Sequence, residues 1–270
     1  MACAVAELSS MGEVCRALSG ARQIDLQAYT VWGPALWAVK AAARRGAEVT
    51  VHLEGQPFHN PHLAKENRNV AAQLRAAGAA VTLGHPLHAK ALTVDGTLYL
   101  DEKNWHPRDL VLRVDDPAEA ATIPMIKHAA LAIEGQLVGS ARSADRVIVE
   151  SESFGCFNKV YSELRQAALA GVAPRLLVSS RDLSGNVRER EVIEALVRDG
   201  VTVRVCDESE KLAVAGDSAW LGSANATIAA PGSDSTDWGL DTHDAQIVAA
   251  VRSRLETQWQ NARAFRYRTT

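Results

Sequence analysis

An α/β fold, built twice along one chain, is what the sequence predicts. Three observations carry the expectation. Strand-like and helix-like segments alternate, the order of segments in the first half recurs in the second, and one stretch is nearly duplicated. Residues 88–104 read HAKALTVDGTLYLDEKN and residues 209–225 read SEKLAVAGDSAWLGSAN. At a constant offset Lys90 matches Lys211 and Asn104 matches Asn225, while His88 faces Ser209 and Asp95 faces Gly216. The repeat keeps its cationic and amide residues but only one imidazole. That pattern suggests two half-sites around one anion, with the nucleophile kept in one of them.

The elements follow in order. A helical pattern opens the chain and is followed by IDLQAYTV (24–31), an alternating, β-branched run expected to be a strand. In PALWAVKAAARRG (34–46) Leu36, Val39 and Ala43 share one helical face, and Gly46 stands where a helix stops. AEVTVHLEG (47–55) is the next strand, QPFHNPHLAKENRN (56–69) a polar loop, and VAAQLRAAG a helix ending at Gly78. AAVTLG is a strand, and HAKALTVDGTLYL a hairpin turning at Asp95-Gly96. In the second half, 122–142 is expected to be a helix, 146–153 a strand, 158–171 a helix and PRLLVSS a strand. RDLSGNVRERE (181–191) is expected as a polar loop, 192–200 as a helix, VTVRVC as a strand and KLAVAGDSAWLGSAN as the second hairpin. TQWQNARAFRYR closes as helix or tail. DDPAEAATIP (115–124), with two prolines and several acids, marks the boundary, giving repeats at 1–120 and 121–270.

Composition narrows the function classes. The chain has 270 residues and 29.0 kDa, with 47% hydrophobic and 23% charged residues, an ordinary globular balance. A net charge of -3 and a pI near 6.2 exclude a generally basic surface, so an anionic substrate must be drawn by a local patch. Cys3, Cys15, Cys156 and Cys206 have no metal-ligand spacing and read as reduced packing residues. His59 and His62 lack a third ligand at defined spacing, so no metal site is expected. The first twenty residues lack a basic segment followed by an apolar one, and no apolar run approaches the ~20 residues of a spanning helix; the expectation is a cytoplasmic protein without a transmembrane segment. GxGxxG, GxxxxGKS and GxSxG patterns are absent from the sequence.

A strand carrying HxK, four residues, Asp, then a short strand ending in Gly-Ser-x-Asn resembles the phospholipase D superfamily, the HKD phosphodiesterases. The first copy supplies His88, Lys90, Asp95 and Asn104; the second supplies Lys211, Gly222, Ser223 and Asn225. Two departures stand out: Asp101-Glu102 replaces the usual Gly-Ser, and the second copy lacks both His and Asp. The resemblance implies two similar lobes with mixed β-sheets flanked by helices, related by a pseudo-twofold axis. It also implies reaction through a covalent phosphohistidine, with no metal or other cofactor.

The chemistry agrees with those residue types. Phosphodiester cleavage needs a nucleophile, neutralisation of the phosphoryl oxygens and a proton for the leaving oxygen. His88 is the candidate nucleophile, and Lys90, Lys211, Asn104 and Asn225 are candidates for a preorganised anion cage. Asp109 sits where the family often has an acid holding the histidine's other nitrogen, and Asp237 stands at the comparable place in the second copy. Ser209 and Ser223 are candidate substrate contacts, with Glu208, Glu210, His85 or a water left as proton donor. Glu102 is expected near the cage, where it would repel an anion. Residues 181–190 either fringe the site or form a solvated loop. Trp105, Trp220 and Trp238 either pack or stack on substrate.

Three readings remain open: a phosphodiesterase or phosphoryl transferase, an anion- or partner-binding protein without turnover, and an enzyme using the cage on a non-phosphate anion. The substrate class spans small, lipid and nucleotide diesters. Because one chain carries both half-sites, a monomer suffices for one site.

Overall fold

The computed structural model describes residues 6–57, 60–84, 86–116, 118, 125–126, 147–155, 158–207, 210–227 and 237–266. The chain divides into two compact units, Met1–Lys127 with Gly232–Trp238, and His128–Pro231 with Gly239–Thr270. In this division a short segment late in the second copy, Gly232–Trp238, groups with the first unit.

In the first unit, β1 (Glu7–Ser9), β2 (Gln23–Ala28), β3 (Glu48–Glu54), β4 (Ala80–Gly84), β5 (Ala91–Val94), β6 (Thr97–Asp101) and β7 (Val111–Val114) form one mixed sheet. Its strand order is β1-β7-β6-β5-β2-β3-β4. β2, β3 and β4 run parallel, whereas β5 turns back antiparallel to β2 and opens the β5–β6 hairpin. Every second residue of β2 is apolar, which buries Ile24, Leu26 and Ala28 on one face. Helix α2 (Gly33–Arg44) meets the same core through Ala35, Leu36, Val39, Ala42 and Ala43. Helix α1 (Met11–Gly20) starts in a reciprocal cap between Ser10 and Glu13 and buries Met11, Val14 and Leu18.

The tight turn of the hairpin explains Asp95-Gly96. Both residues have positive φ, at 47° and 95°, which a two-residue turn between twisted strands requires. The Asp95 carboxylate also accepts from the backbone N–H groups of Arg22 and Gln23, so its work is to shape the turn and tie it to β2.

Helix α3 (Pro61–Ala76) corrects the expected polar loop over 56–69. Asn60 caps it by accepting from Leu63 N, and Pro61 supplies the fixed φ of a first helical residue. Its one buried polar side chain, Asn67, donates from Nδ2 to Tyr29 O and Glu54 O, each at 2.8 Å. Those carbonyls lie beyond the end of β2 and at the end of β3. Asn67→Ala leaves both without their amide donor and is expected to lower stability by roughly 1–3 kcal/mol. The measurement is the urea midpoint, with an unchanged slope showing that the folded state is retained.

The second unit repeats the plan. Its sheet holds β9 (Val147–Ser151), β10 (Arg175–Ser179), β11 (Thr202–Cys206), β12 (Leu212–Ala215), β13 (Ser218–Gly222), β14 (Asp237–Thr242) and β15 (Arg263–Ala264), in the order β15-β11-β10-β9-β12-β13-β14. β9, β10 and β11 are parallel and the β12–β13 hairpin is antiparallel to β9, as in the first unit. The hairpins share one register: Ala91 pairs with Leu100 as Leu212 pairs with Leu221. Asp101 N donates to Lys90 O at 2.9 Å as Gly222 N donates to Lys211 O at 3.3 Å. The first two residues of β14, Asp237 and Trp238, belong to the first unit and pair there with β8 (Met125–Ile126).

Helices α4 (Lys159–Leu169), α5 (Ser180–Gly185), α6 (Val187–Arg198) and α7 (Ala245–Asn261) complete the described elements of the second unit. The expected loop over 181–191 is mostly helical: α5 covers its first residues, and Asn186 accepts from Glu189 N and caps α6, which starts five residues before the helix expected at 192. The proposed helix over 122–142 lies outside the described residues, except for Met125–Ile126, which form β8 rather than helix. No helix among the described residues is long and apolar enough to cross a membrane.

Candidate active site

Glu54, at the end of β3, sets the approach to the candidate nucleophile. Its carboxylate accepts from Gln56 N and from Leu87 N, each at 2.6 Å, and the side chain is buried. Leu87 immediately precedes His88, so the carboxylate fixes the extended segment that leads into β5. That segment, rather than the strand itself, carries His88 and Lys90: β5 begins at Ala91.

Lys90 is 1% exposed, and its Nζ lies 3.3 Å from each ring nitrogen of His88. The same ammonium stands 5.8 Å from the centroid of the Tyr29 ring, and Tyr29 meets the imidazole edge-on at 5.3 Å. His88 Nδ1 lies 2.7 Å from Asp237 Oδ1. With Nδ1–H donating to that carboxylate, the lone pair of the neutral ring is on Nε2.

Asp101 joins these pieces. Its N–H donates to Lys90 O, its carbonyl accepts Trp238 Nε1–H at 2.9 Å, and its carboxylate accepts from Trp105 N at 2.7 Å. One buried residue thus ties together the backbone of Lys90, the neighbour of Asp237 and the turn that carries Asn104. Glu102, also buried, accepts from Leu110 N, closing the loop over 102–110 from inside. The Asp101-Glu102 departure from Gly-Ser therefore has a local purpose: both acids anchor this loop. Trp105 takes φ 63° there, a left-handed conformation that a bulky side chain rarely adopts.

Asp109 does not hold the histidine. The acid on His88 is Asp237, while Asp109 Oδ2 accepts from His106 N at 2.6 Å and Asn104 N at 3.3 Å. Burial holds the Asp109 carboxyl above the usual aspartate range, against the pull of those N–H groups and of the Lys103 and His106 charges. The sign of the pH effect follows. The folded state binds this proton more tightly than the unfolded chain, so the burial penalty is absent below the ordinary aspartate range and grows as pH rises through the folded value. Asp109→Asn, which keeps an acceptor for both N–H groups, is expected to raise the thermal midpoint at neutral pH. That gain should fade in acid when midpoints are compared across a pH series.

Asn104 is placed by the same loop, and its Oδ1 is buried with no hydrogen-bond partner among the described residues. In the second unit Lys211 is 2% exposed, and its Nζ lies 2.9 Å from Glu152 Oε2. Asn225 Oδ1 accepts from Ser153 N at 3.4 Å, and Ser223 is fully buried. Ser209, Glu208, His85 and His59 lie outside the described residues. Trp105, Trp220 and Trp238 are all buried, so they pack.

Tyr29, Glu54 and Glu152 were not foreseen as contributors. The strand register shows that Tyr29 and Glu152 occupy equivalent places, each three residues past the position that pairs in β2 or β9 with the second hairpin residue. In one copy the Lys meets a ring, in the other a carboxylate. Their signal in the sequence is only that each stands just beyond a parallel strand's carboxyl end, where open α/β sheets place ligand-binding groups.

No known family model and no curated protein matches the sequence. Solved structures do match its fold. A polyphosphate kinase from Porphyromonas gingivalis is similar over 98% of this chain and 52% of its own, with a TM-score of 0.63 and 14% identity. A phosphatidylserine synthase from Haemophilus influenzae Rd KW20 is similar over 97% of this chain and 87% of its own, with a TM-score of 0.66 and 11% identity. The chain thus spans about half the length of the first. At these identities the likeness is one of fold, and the fold is phospholipase D-like, with two mixed sheets flanked by helices.

Proposed function

We propose that this protein is a phosphodiesterase or phosphoryl transferase in which His88 attacks phosphorus and carries the phosphoryl group as a covalent phosphohistidine. The observation that carries the reading is the Asp237–His88–Lys90 cluster: Nδ1 on a buried carboxylate at 2.7 Å and an ammonium 3.3 Å from the ring nitrogens. The carboxylate fixes the tautomer that leaves Nε2 nucleophilic and stabilises the imidazolium formed after attack. The ammonium supplies positive charge where the phosphoryl oxygens gather negative charge, so the reading calls on no metal.

Lys211, Asn225, Ser223 and Ser209 enter through the sequence repeat, as the second copy's counterparts of the first copy's motif positions. The similar structures support the chemical class by name, one a polyphosphate kinase and the other a phosphatidylserine synthase. Small, lipid and nucleotide diesters share this phosphoryl chemistry.

The Lys211–Glu152 ion pair favours a second reading, anion binding without turnover, because the second copy's motif lysine is already paired with a carboxylate within its own unit. One experiment separates the two. Wild-type protein is incubated with a panel of 4-nitrophenyl and natural phosphodiesters, quenched in alkali to preserve phosphoramidate bonds, and digested for mass spectrometry. A phosphoryl adduct on the peptide holding His88 supports turnover. Saturable anion binding with no adduct and no product supports binding alone.

A further inference from the structure

We propose that Asp109 is the proton donor to the leaving oxygen, the part that a second imidazole would play and that Ser209 cannot. The inference rests on the phosphohistidine reading above and supplies its missing acid.

Register is the first argument. Asp101 and Gly222 hold the same place in their units, each donating its N–H to the carbonyl of the motif lysine. Asp101 pairs with Val111 on the next strand, and Gly222 pairs with Gly239. Counting back two residues from each partner gives Asp109 and Asp237. The two acids are structural counterparts, and Asp237 is the one that holds an imidazole. The residue matching His88 in the second copy is Ser209, so the chain keeps two such acids and one such imidazole.

The surroundings of Asp109 are the second argument. It is 6% exposed, and both of its hydrogen bonds, from Asn104 N and His106 N, fall on Oδ2. Oδ1 has no hydrogen-bond partner among the described residues. Lys103 and His106, on its own loop, are among the titratable groups that act on it. One oxygen is thus anchored and the other is left to carry a proton, and burial favours the protonated form. The anchoring loop is itself held by Asp101 and Glu102 and carries the strained Trp105 backbone. A donor on such a loop keeps its position, as proton transfer in a transition state requires.

The step balances. His88 Nε2 attacks phosphorus, the bond from phosphorus to the leaving oxygen breaks, and Oδ1–H of Asp109 passes its proton to that oxygen. An alcohol departs, leaving a phosphoryl imidazolium and an ionised Asp109. Water then attacks phosphorus and gives a proton to the Asp109 carboxylate while the phosphorus–nitrogen bond breaks. His88 returns neutral and Asp109 returns protonated.

The test compares wild type with Asp109→Asn on a matched pair of diesters, one losing 4-nitrophenolate and one losing an alkyl alcohol. The variant is expected to lose about 10²- to 10⁴-fold in turnover of the alkyl diester. It should stay within a few-fold on the nitrophenyl diester, whose leaving group needs no proton. The alkaline limb of the alkyl pH–rate profile should also vanish. Equal losses on both substrates would make Asp109 an anchor of its loop and overturn the proposal. A second readout needs no turnover: isotope-edited infrared difference spectra of wild type against Asp109→Asn in mildly acidic to neutral buffer. A protonated-carboxyl band lost in the variant supports the donor, and its absence from wild type overturns it. Failure of the parent reading registers separately, as wild type forming no adduct on His88.

Discussion

His88→Ala is expected to abolish turnover, with a loss of about 10⁴-fold or more, because on the proposed mechanism no other group in the cluster forms the bond to phosphorus. Asp237 is spent on orienting the ring, and the Lys90 ammonium has no lone pair to offer. The His88 side chain is 26% exposed and is held through Asp237 and Tyr29, while the adjoining backbone is fixed by Glu54 and Asp101. Truncation at Cβ is therefore expected to leave the fold intact, with an unchanged far-UV spectrum and a thermal midpoint close to wild type. Added imidazole should restore part of the activity by entering the space the ring leaves, and the phosphohistidine adduct should disappear from the 88-containing peptide. Activity that survives His88→Ala but is lost in Ser209→Ala would point to serine chemistry and reverse the assignment.

The parts of this fold legible in the sequence are those specified locally. The Asp95-Gly96 turn needs positive φ at two consecutive residues, and that dipeptide announces it. The alternation in β2 and the apolar face of α2 are equally local. Two helix starts escaped because Asn60-Pro61 and Asn186 cap stretches whose first turns are polar; a loop and an exposed helical turn look alike by composition, and only the capping residues distinguish them. The short strands β1, β8 and β15 have no pattern of their own, since pairing with a distant partner defines them.

For the site, the repeated motif singles out His88 and Lys90, and the fold brings the Lys90 ammonium 3.3 Å from the His88 ring nitrogens. The orienting acid was harder. The family resemblance put Asp109 in that role, with Asp237 at the comparable place in the second copy, whereas the carboxylate on His88 is that of Asp237, 149 residues away. A counterpart in a repeat can serve the other copy's residue, and no linear spacing announces which of the two it serves. The Asp101-Glu102 departure had the opposite fate. Beside a motif it looks like charge repulsion aimed at the anion, but in the fold those carboxylates accept backbone N–H groups of their own loop.

Asp237→Asn is the variant that asks whether the pair at 2.7 Å matters to chemistry or only to packing. The expected loss in kcat is about 10²- to 10⁴-fold with KM changed little, the signature of an interaction that strengthens as the reaction proceeds. The ground-state ring is neutral and gains modestly from its carboxylate. Once Nε2 is bonded to phosphorus the ring is a cation, and a buried anion on Nδ1 becomes a strong stabiliser. An amide removes that charge and can turn its NH2 toward Nδ1, which would place the ring proton on Nε2 and block the nucleophile. Nitrogen NMR of the His88 ring reports the tautomer directly, a readout that a packing role would leave unmoved. Folding should survive, since Trp238 next door remains tied to Asp101 O and the side chains are close in volume. If kcat holds near wild type while the ring tautomer is shown to have switched, Nε2 is not the attacking atom and the phosphohistidine reading fails at its first step.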